Sequence, residues 1–155
     1  VLPLSVATGG LVNYIYGLAV VLVGLLLARI PLTWNLLYLP LLLLILYGAV
    51  AGFCLMFSAM NVYIRDLEHI VNLVTMAWFY ATPIVYPITM LPDWLQKLLL
   101  LNPMTPLVLG FRNVIYYGTP PDFFQIGIAA AEAVVIFTAG VLIFNKLEPG
   151  FAEEI

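Results

Sequence analysis

The segment NVYIRDLEHI, residues 61–70, gathers four basic or acidic side chains in ten positions: Arg65, Asp66, Glu68 and His69. Such a set could in principle bind a metal ion or transfer protons. His69, however, is the only histidine of the chain and Cys54 the only cysteine, and neither has further ligands at a spacing that holds a metal. No nucleophile–base pair is visible either. The sequence therefore indicates no catalytic residue and no metal site, and this charge needs another explanation.

Helix-end electrostatics give one, because the segment lies between two apolar stretches. Arg65 would complement the negative end of the preceding helix, and Asp66 and Glu68 the positive end of the next, with Asp66 as its N-cap. Along that next helix one face is predicted to be apolar and the other polar: Leu67, Ile70, Val71 and Val74 against Arg65, Glu68, His69 and Asn72. The local pattern leaves open whether this turn does anything beyond capping.

The composition predicts a membrane protein. Hydrophobic residues make up 65% of the chain and charged residues 8%, whereas roughly a quarter of the residues in a soluble domain are charged. The net charge of −3 and the lack of a basic patch argue against nucleic acid as a partner. We therefore expect an all-α polytopic membrane protein, with residues 1–155 in a single transmembrane domain.

Four windows are long and apolar enough to cross the membrane, since about 30 Å of hydrocarbon needs roughly 20 residues of helix. They cover about residues 5–28, 36–59, 70–88 and 123–144. The second contains Gly48-Ala-Val-Ala-Gly52, a motif that lets another helix approach closely, within the chain or across a dimer; internal packing is favoured. The last contains Glu132, and an acid inside a span generally faces a cavity or the protein interior.

Residues 89–122 do not fit a straight span, because seven of the eleven prolines lie between Pro83 and Pro121 and proline breaks helices. Yet the stretch LLLLNPMTPLVLGF, residues 98–111, is too apolar for an ordinary loop in water. We predict short re-entrant or interfacial helices here, with a helix pair that turns at Asn102–Pro103. The alternative is a long loop folded over the outer surface of the bundle.

Several ordered motifs resemble one family. NVYIRDLEHI followed by WFYATPIVYP (78–87) closely resembles the permeases of type-2 ATP-binding-cassette exporters, in the branch that exports O-antigen, capsule-like polysaccharide and teichoic acid. LNPMTPL (101–107), FRNVIYYG (111–118) and FNKLEPGFAEEI (144–155) match in the same order. LPLS (2–5) and LTWNLLYLP (32–40) also fit. The likeness therefore covers nearly the whole chain.

This resemblance implies a permease with six membrane helices that works as a homodimer, each copy paired with a separate cytoplasmic ATPase. The chain would hold the last four helices and lack the first two spans and the element that chiefly docks the ATPase. ATP and Mg would be bound by that partner, and no cofactor by this chain, which has no G-x-x-x-x-G-K-[ST] loop. Residues 60–69 would face the cytoplasm and 89–122 would form gate helices near the outer face, although Lys and Arg counts alone do not settle the orientation.

The side-chain chemistry, taken together with this resemblance, suggests three groups of site residues. The charged segment would be a joint that couples to the ATPase through Arg65, Asp66, Glu68 and His69. The outer gate would contain Asn102, Pro103 and Arg112, where the arginine could guide a phosphate-bearing substrate or satisfy carbonyls at broken helix ends. Aromatic side chains could line a channel and stack on sugar rings, or simply belt the membrane interface: Trp78, Phe79, Tyr80, Tyr86, Tyr116 and Tyr117.

The expected function is export of a lipid-linked or polymeric glycan across the cytoplasmic (inner) membrane of a prokaryote, with membrane lipid and the glycan as further partners. One rival is a type-2 exporter of drugs or lipids, which shares the architecture. Another is a secondary transporter that uses no ATPase and couples to protons through Glu132.

Overall fold

The computed structural model describes residues 2–30, 32–64 and 66–148, and every regular element in these ranges is helical. The six α-helices are α1 (Leu2–Leu27), α2 (Leu39–Tyr63), α3 (Leu67–Ala81), α4 (Asp93–Leu99), α5 (Met104–Arg112) and α6 (Phe123–Leu147). A 3₁₀ turn, Trp34–Tyr38, leads into α2, another, Ile88–Met90, precedes α4, and a π-helical turn, Asn113–Tyr117, continues α5. The predicted all-α class is confirmed. Arg65 and residues 149–155 of the last family motif lie outside the described residues.

Three described helical stretches are long and apolar enough to cross a membrane: Pro3–Leu27, Trp34–Tyr63 and Phe123–Leu147. They correspond to the first, second and fourth predicted windows. A helix satisfies its backbone hydrogen bonds internally, which is what a hydrocarbon environment demands. The prediction of a polytopic helical membrane protein is therefore confirmed.

The third window holds a shorter helix than predicted. α3 has 15 residues, which is about 22 Å at 1.5 Å per residue, and it ends at Ala81 rather than near residue 88. The reason is Pro83, since a residue that precedes proline is pushed out of the helical region. Thr82 accordingly has φ −102° and ψ 133°. Whether this segment crosses the membrane stays a prediction.

α4 and α5 form the predicted helix pair. The stretches Asp93–Leu99 and Met104–Tyr117 meet at a bend of 102°, and the four residues between them include Asn102 and Pro103. The alternative of a long irregular loop is therefore wrong for this part of the chain. The geometry fits a broken span or a re-entrant loop, and the choice between the two stays a prediction.

The core lies where α2 and α6 cross, and this is the most extensive contact between described helices. α1 packs on α2, and α5 packs on both α2 and α6. Small and medium side chains fill the centre almost without exposure, for example Leu42, Ala49, Leu107, Val114 and Ala129. α3 has few contacts with this core, the main one being with α2.

Two glycines set the closeness of the α2–α6 crossing. A Cβ atom on Gly52 would lie 2.7 Å from the carbonyl carbon of Ile136, and one on Gly140 would overlap the carbonyl oxygen of Gly52. Gly48, the other glycine of the small-residue motif, has no neighbour within 4 Å of such an atom. The motif thus serves helix packing inside the chain, as favoured from the sequence, and it does so through Gly52.

Replacing either crossing glycine with alanine is expected to destabilise the fold. Gly52→Ala and Gly140→Ala force α2 and α6 apart, which typically costs about 1–3 kcal/mol in a packed interior. The measurement is denaturant unfolding of the protein in detergent micelles. Gly48→Ala is the matched control and should leave stability unchanged or slightly raised. Equal effects of all three substitutions would contradict the assignment of the crossing point.

Candidate functional site

A cleft of about 470 Å³ lies between the π-helical turn and the irregular segment that follows α3. Its lining comprises Val85, Tyr86, Pro87, Arg112, Tyr116 and Tyr117. The irregular wall exists because Pro83 and Pro87 bracket it and prevent a helix there. The other wall ends at Gly118, whose φ of 63° is the left-handed conformation that glycine adopts readily. Proline residues therefore determine the backbone conformation of one wall, and a glycine determines where the other wall ends.

Arg112 joins the two walls. Its Nη2 group donates hydrogen bonds to the carbonyl oxygens of Pro83, at 3.1 Å, and Ile84, at 2.9 Å. Those carbonyls need a partner because the proline has interrupted the helix that would otherwise satisfy them. Of the two roles considered for this arginine, the structure shows the satisfaction of carbonyls at a broken helix end. A role toward substrate stays a prediction.

The cleft keeps unused hydrogen-bonding groups. Within the described part of the chain, the Nη1 and Nε groups of Arg112 and the hydroxyls of Tyr116 and Tyr117 have no hydrogen-bond partner, and no acidic residue lines the cleft. The two tyrosine rings meet edge to face at 5.2 Å, and both residues are 61% exposed. The hydroxyl of Tyr86 donates to the carbonyl of Tyr80 at 2.9 Å. This combination can stack on sugar rings and donate hydrogen bonds to oxygen-rich ligands.

Asn102 forms a second polar junction, between the end of α3 and the start of α5. Its Oδ1 accepts from Trp78 Nε1 at 2.8 Å and from the Met104 amide at 3.1 Å, while its Nδ2 donates to Thr82 Oγ1 at 3.0 Å. The Thr82 hydroxyl in turn donates to the carbonyl of Trp78 at 2.9 Å. The Asn102 side chain therefore links the bend between α4 and α5 to the C-terminal end of α3.

The six predicted lining aromatics separate into three groups. Tyr86, Tyr116 and Tyr117 line the cleft. Trp78 belongs to the Asn102 junction and packs edge to face on Phe53 of α2 at 5.2 Å. Phe79 and Tyr80 are exposed on α3. None of these positions tests whether the side chains face a transport channel, so channel lining stays a prediction.

The charged joint begins α3. Asp66 occupies the N-cap position, but its carboxylate makes no capping hydrogen bond, and only its backbone carbonyl accepts from the Ile70 amide at 3.3 Å. Glu68 lies in the first turn of α3, as predicted. Asp66, Glu68 and His69 are all exposed. The carboxylates at the N-terminal end of α3 are therefore exposed. Arg65, the fourth residue of the charged joint, lies outside the described residues.

Protein covers the two predicted faces of α3 only in part. Glu68 and Asn72 share a cleft of about 250 Å³ with Leu67 and Val71, against the end of α2. The opposite face carries exposed apolar side chains: Ile70, Leu73, Val74 and Met76. Of the predicted apolar face, Leu67 is buried whereas Ile70 and Val74 are exposed, and whether lipid or water surrounds them stays a prediction.

Glu132 lies on α6, away from the cleft. The side chain is half-buried, and its Oε2 atom is buried without a hydrogen-bond partner among the described residues. Within residues 2–30, 32–64 and 66–148, no group of three or more His, Cys, Asp or Glu side chains is placed to hold a metal ion.

Two contributors were missed in the sequence. Thr82 is 2% exposed and belongs to the Asn102 junction, and Asn35 donates through Nδ2 to the Gly118 carbonyl at the end of the π-helical turn. The Thr–Pro pair at 82–83 is a signal for the first, because a threonine at a proline-broken helix end can return its hydroxyl to the preceding turn. No local signal marks the second, since 83 residues separate the partners.

Long apolar helices and a bent helix pair define a polytopic helical membrane protein. The family model for ABC-2 type transporters matches residues 4–116. The chain therefore belongs to the ABC-2 type transporter family.

Named relatives agree with this assignment. The chain is 34% identical over 158 aligned residues to the O-antigen export system permease protein RfbA of Myxococcus xanthus, an alignment that covers 100% of this chain and 60% of the relative. It is 35% identical over 102 residues to a protein of the same name from Klebsiella pneumoniae, covering 66% of this chain and 39% of that relative. The chain thus spans 60% of the length of the first relative and 39% of the second.

Removing the amide of Asn102 is expected to loosen the helix pair. Asn102→Ala leaves the Trp78 indole N–H and the Met104 amide without their acceptor, and each unsatisfied buried group costs about 1–3 kcal/mol. Thermal unfolding in detergent, followed by tryptophan fluorescence, measures the effect. Asn145→Ala is the matched control, because Asn145 is exposed on α6 and has no described partner. A stability equal to that of the control variant would show that the junction does not hold the pair.

Proposed function

We propose that this chain is part of the membrane-spanning permease subunit of an ATP-driven exporter. Its cargo is a lipid-linked or polymeric glycan of the O-antigen, capsule-like or teichoic-acid type, moved across the cytoplasmic membrane of a prokaryote. The observation that carries the proposal is the 34% identity along the whole chain to a permease named for O-antigen export. The exposed tyrosines of the cleft support a glycan cargo, since aromatic faces stack on sugar rings without holding them tightly.

The energy source in this proposal is a separate cytoplasmic ATPase that binds ATP and Mg. The sequence supports this division of labour because it contains no phosphate-binding P-loop. The permease itself works as a homodimer, with the glycan passing between the two copies. The charged joint at the start of α3 lies at the moving interface with the ATPase.

The structure offers a route for that motion. α3 has few contacts with the core formed by α2 and α6, so it can move without disturbing the glycine crossing. Its far end is tied to α5 through Asn102 and Arg112. A displacement of the charged joint would therefore reach the bent helix pair, which is the proposed outer gate.

A second candidate function is proton-coupled secondary transport. The observation that favours it is the buried, unpartnered Oε2 of Glu132 in the middle of α6, because intramembrane carboxylates often carry protons or contact cargo. In this case transport would require no ATPase.

Deleting the gene is expected to remove the glycan from the cell surface and to leave its precursor inside, and the intact gene should restore export. Restoration by a gene with the reversed pair Arg65→Asp and Asp66→Arg should be reduced severalfold, because the joint would present the wrong charges to the ATPase. Surface glycan and the amount of membrane-inserted permease are measured in the same cells. Arg29→Glu, a charge reversal at an exposed residue of the turn after α1, is the control. A deletion strain that still exports its glycans would refute the proposed function, whereas full export by the reversed pair would refute only the coupling role.

Glu132→Gln separates the two candidate functions. Under ATP-driven export the substitution should leave transport within about twofold of the original, because the carboxyl group has no described partner to lose. Under proton coupling it should abolish transport, and Glu132→Asp should retain it. Transport into proteoliposomes is measured with ATP alone and with an imposed pH gradient alone. Activity that follows the pH gradient without ATP and is lost in Glu132→Gln would favour the second candidate.

A further inference from the structure

We infer that the cleft between the π-helical turn and residues 85–87 is a binding site for a phosphate group carried by the transported substrate. The identity of the bearer as a glycan or its lipid carrier rests on the proposed function; the anion site itself rests on the cleft.

The first support is an arginine held in place before any ligand arrives. The Nη2 group of Arg112 donates to the carbonyl oxygens of both Pro83 and Ile84. The guanidinium is planar and rigid, so these two bonds also fix the directions of Nη1 and Nε. An anchored side chain loses little further conformational freedom when it binds, which favours affinity.

The second support is uncompensated positive charge. Arg112 forms no salt bridge with any described residue, and the cleft lining contains no carboxylate. Two carbonyl oxygens satisfy donors but do not neutralise a full charge. A half-buried cation at the wall of an aromatic cleft therefore attracts an anion, since screening by water is weaker there than in bulk solvent.

The donor geometry suits a tetrahedral phosphate. Each edge of a guanidinium that donates two parallel bonds includes a hydrogen of Nη2, and this group already donates to two carbonyl oxygens. These bonds compete with the two-pronged binding that a planar carboxylate favours. A tetrahedral phosphate can accept one bond from Nη1 or Nε and others from the hydroxyls of Tyr116 and Tyr117.

The size and exposure of the cleft fit such a ligand. Its volume of about 470 Å³ falls within the range of about 300–1,000 Å³ for small-molecule sites. Tyr116, Tyr117 and Val85 are 61%, 61% and 74% exposed, so a ligand reaches the arginine without rearrangement. The tyrosine rings flank the anion and can contact an attached sugar.

Two sources could present the same chemistry: the diphosphate that links a glycan to its lipid carrier, and phosphodiesters within the polymer itself. The test uses the permease as its gene encodes it, in nanodiscs of zwitterionic phosphatidylcholine. One arm measures the binding of decaprenyl diphosphate against neutral decaprenol. The other measures oligo(glycerol phosphate) against a neutral dextran oligosaccharide.

We expect at least one phosphate probe to bind about tenfold or more tightly than its neutral match, as charge-assisted hydrogen bonds predict. Val85→Glu places a carboxylate beside Arg112 without removing any described hydrogen bond, and it should weaken that binding about tenfold or more. Val85→Gln has the same size without the charge, and it should stay within about twofold. The double substitution Tyr116→Phe and Tyr117→Phe should weaken binding about fivefold, and Tyr16→Phe, on exposed α1, should not.

Preference for the diphosphate assigns the site to the lipid carrier, and preference for the phosphodiester assigns it to the polymer; either supports the inference. Equal binding of phosphate and neutral probes, or equal effects of Val85→Glu and Val85→Gln, would overturn it. If Val85→Glu unfolds the protein, the double substitution Tyr116→Phe and Tyr117→Phe decides instead. Phosphate binding equal to that of Tyr16→Phe would then overturn the inference. Because binding is measured without transport, this result is separate from the deletion experiment that tests export.

Discussion

The crossing of α2 and α6 is the contact on which the other elements depend. Gly52 and Gly140 bring the two backbones into direct contact, and no larger residue fits there without moving a helix. In lipid the hydrophobic effect does not drive helices together, so close packing of small residues has to do so. α1 and α5 then pack against the pair. α3 lies at its margin and has few contacts with the pair, which suits an element proposed to carry motion between two ends of the protein.

The second constraint is the repair of a broken backbone. Prolines end α3 early and interrupt the chain again before α5, and every freed carbonyl in an apolar setting needs a partner. Arg112 supplies it for Pro83 and Ile84, and Asn102 and Thr82 complete the neighbouring junction. The cleft is a consequence of this repair. Arg112 satisfies two carbonyls with its Nη2 group and keeps its positive charge and its other N–H groups. The lining of the cleft contains this arginine together with the exposed Tyr116 and Tyr117.

Several features could be predicted from local sequence because their causes are local. Three apolar stretches became long helices, and Asn102–Pro103 became the turn of a helix pair. The apolar run past residue 81 predicts a longer α3, but Pro83 ends the helix at Ala81. The sequence also could not show how much of α3 the protein covers, since Ile70 and Val74 of the predicted apolar face are exposed. The motif at 48–52 predicted a close contact but not which of its glycines makes it.

The sequence by itself determined the class: a membrane protein, all helical, with a proline-broken segment and a charged joint, and a family resemblance that the family model supports. These properties follow from composition, hydrophobic run length and short motifs, which act over a few turns of chain. Only the tertiary structure decided which residues meet. Arg112 reaches carbonyls 28 and 29 residues away, and Trp78 reaches Asn102 across 24. Such pairings depend on where the glycine crossing and the 102° bend place each helix, and no local pattern encodes those positions.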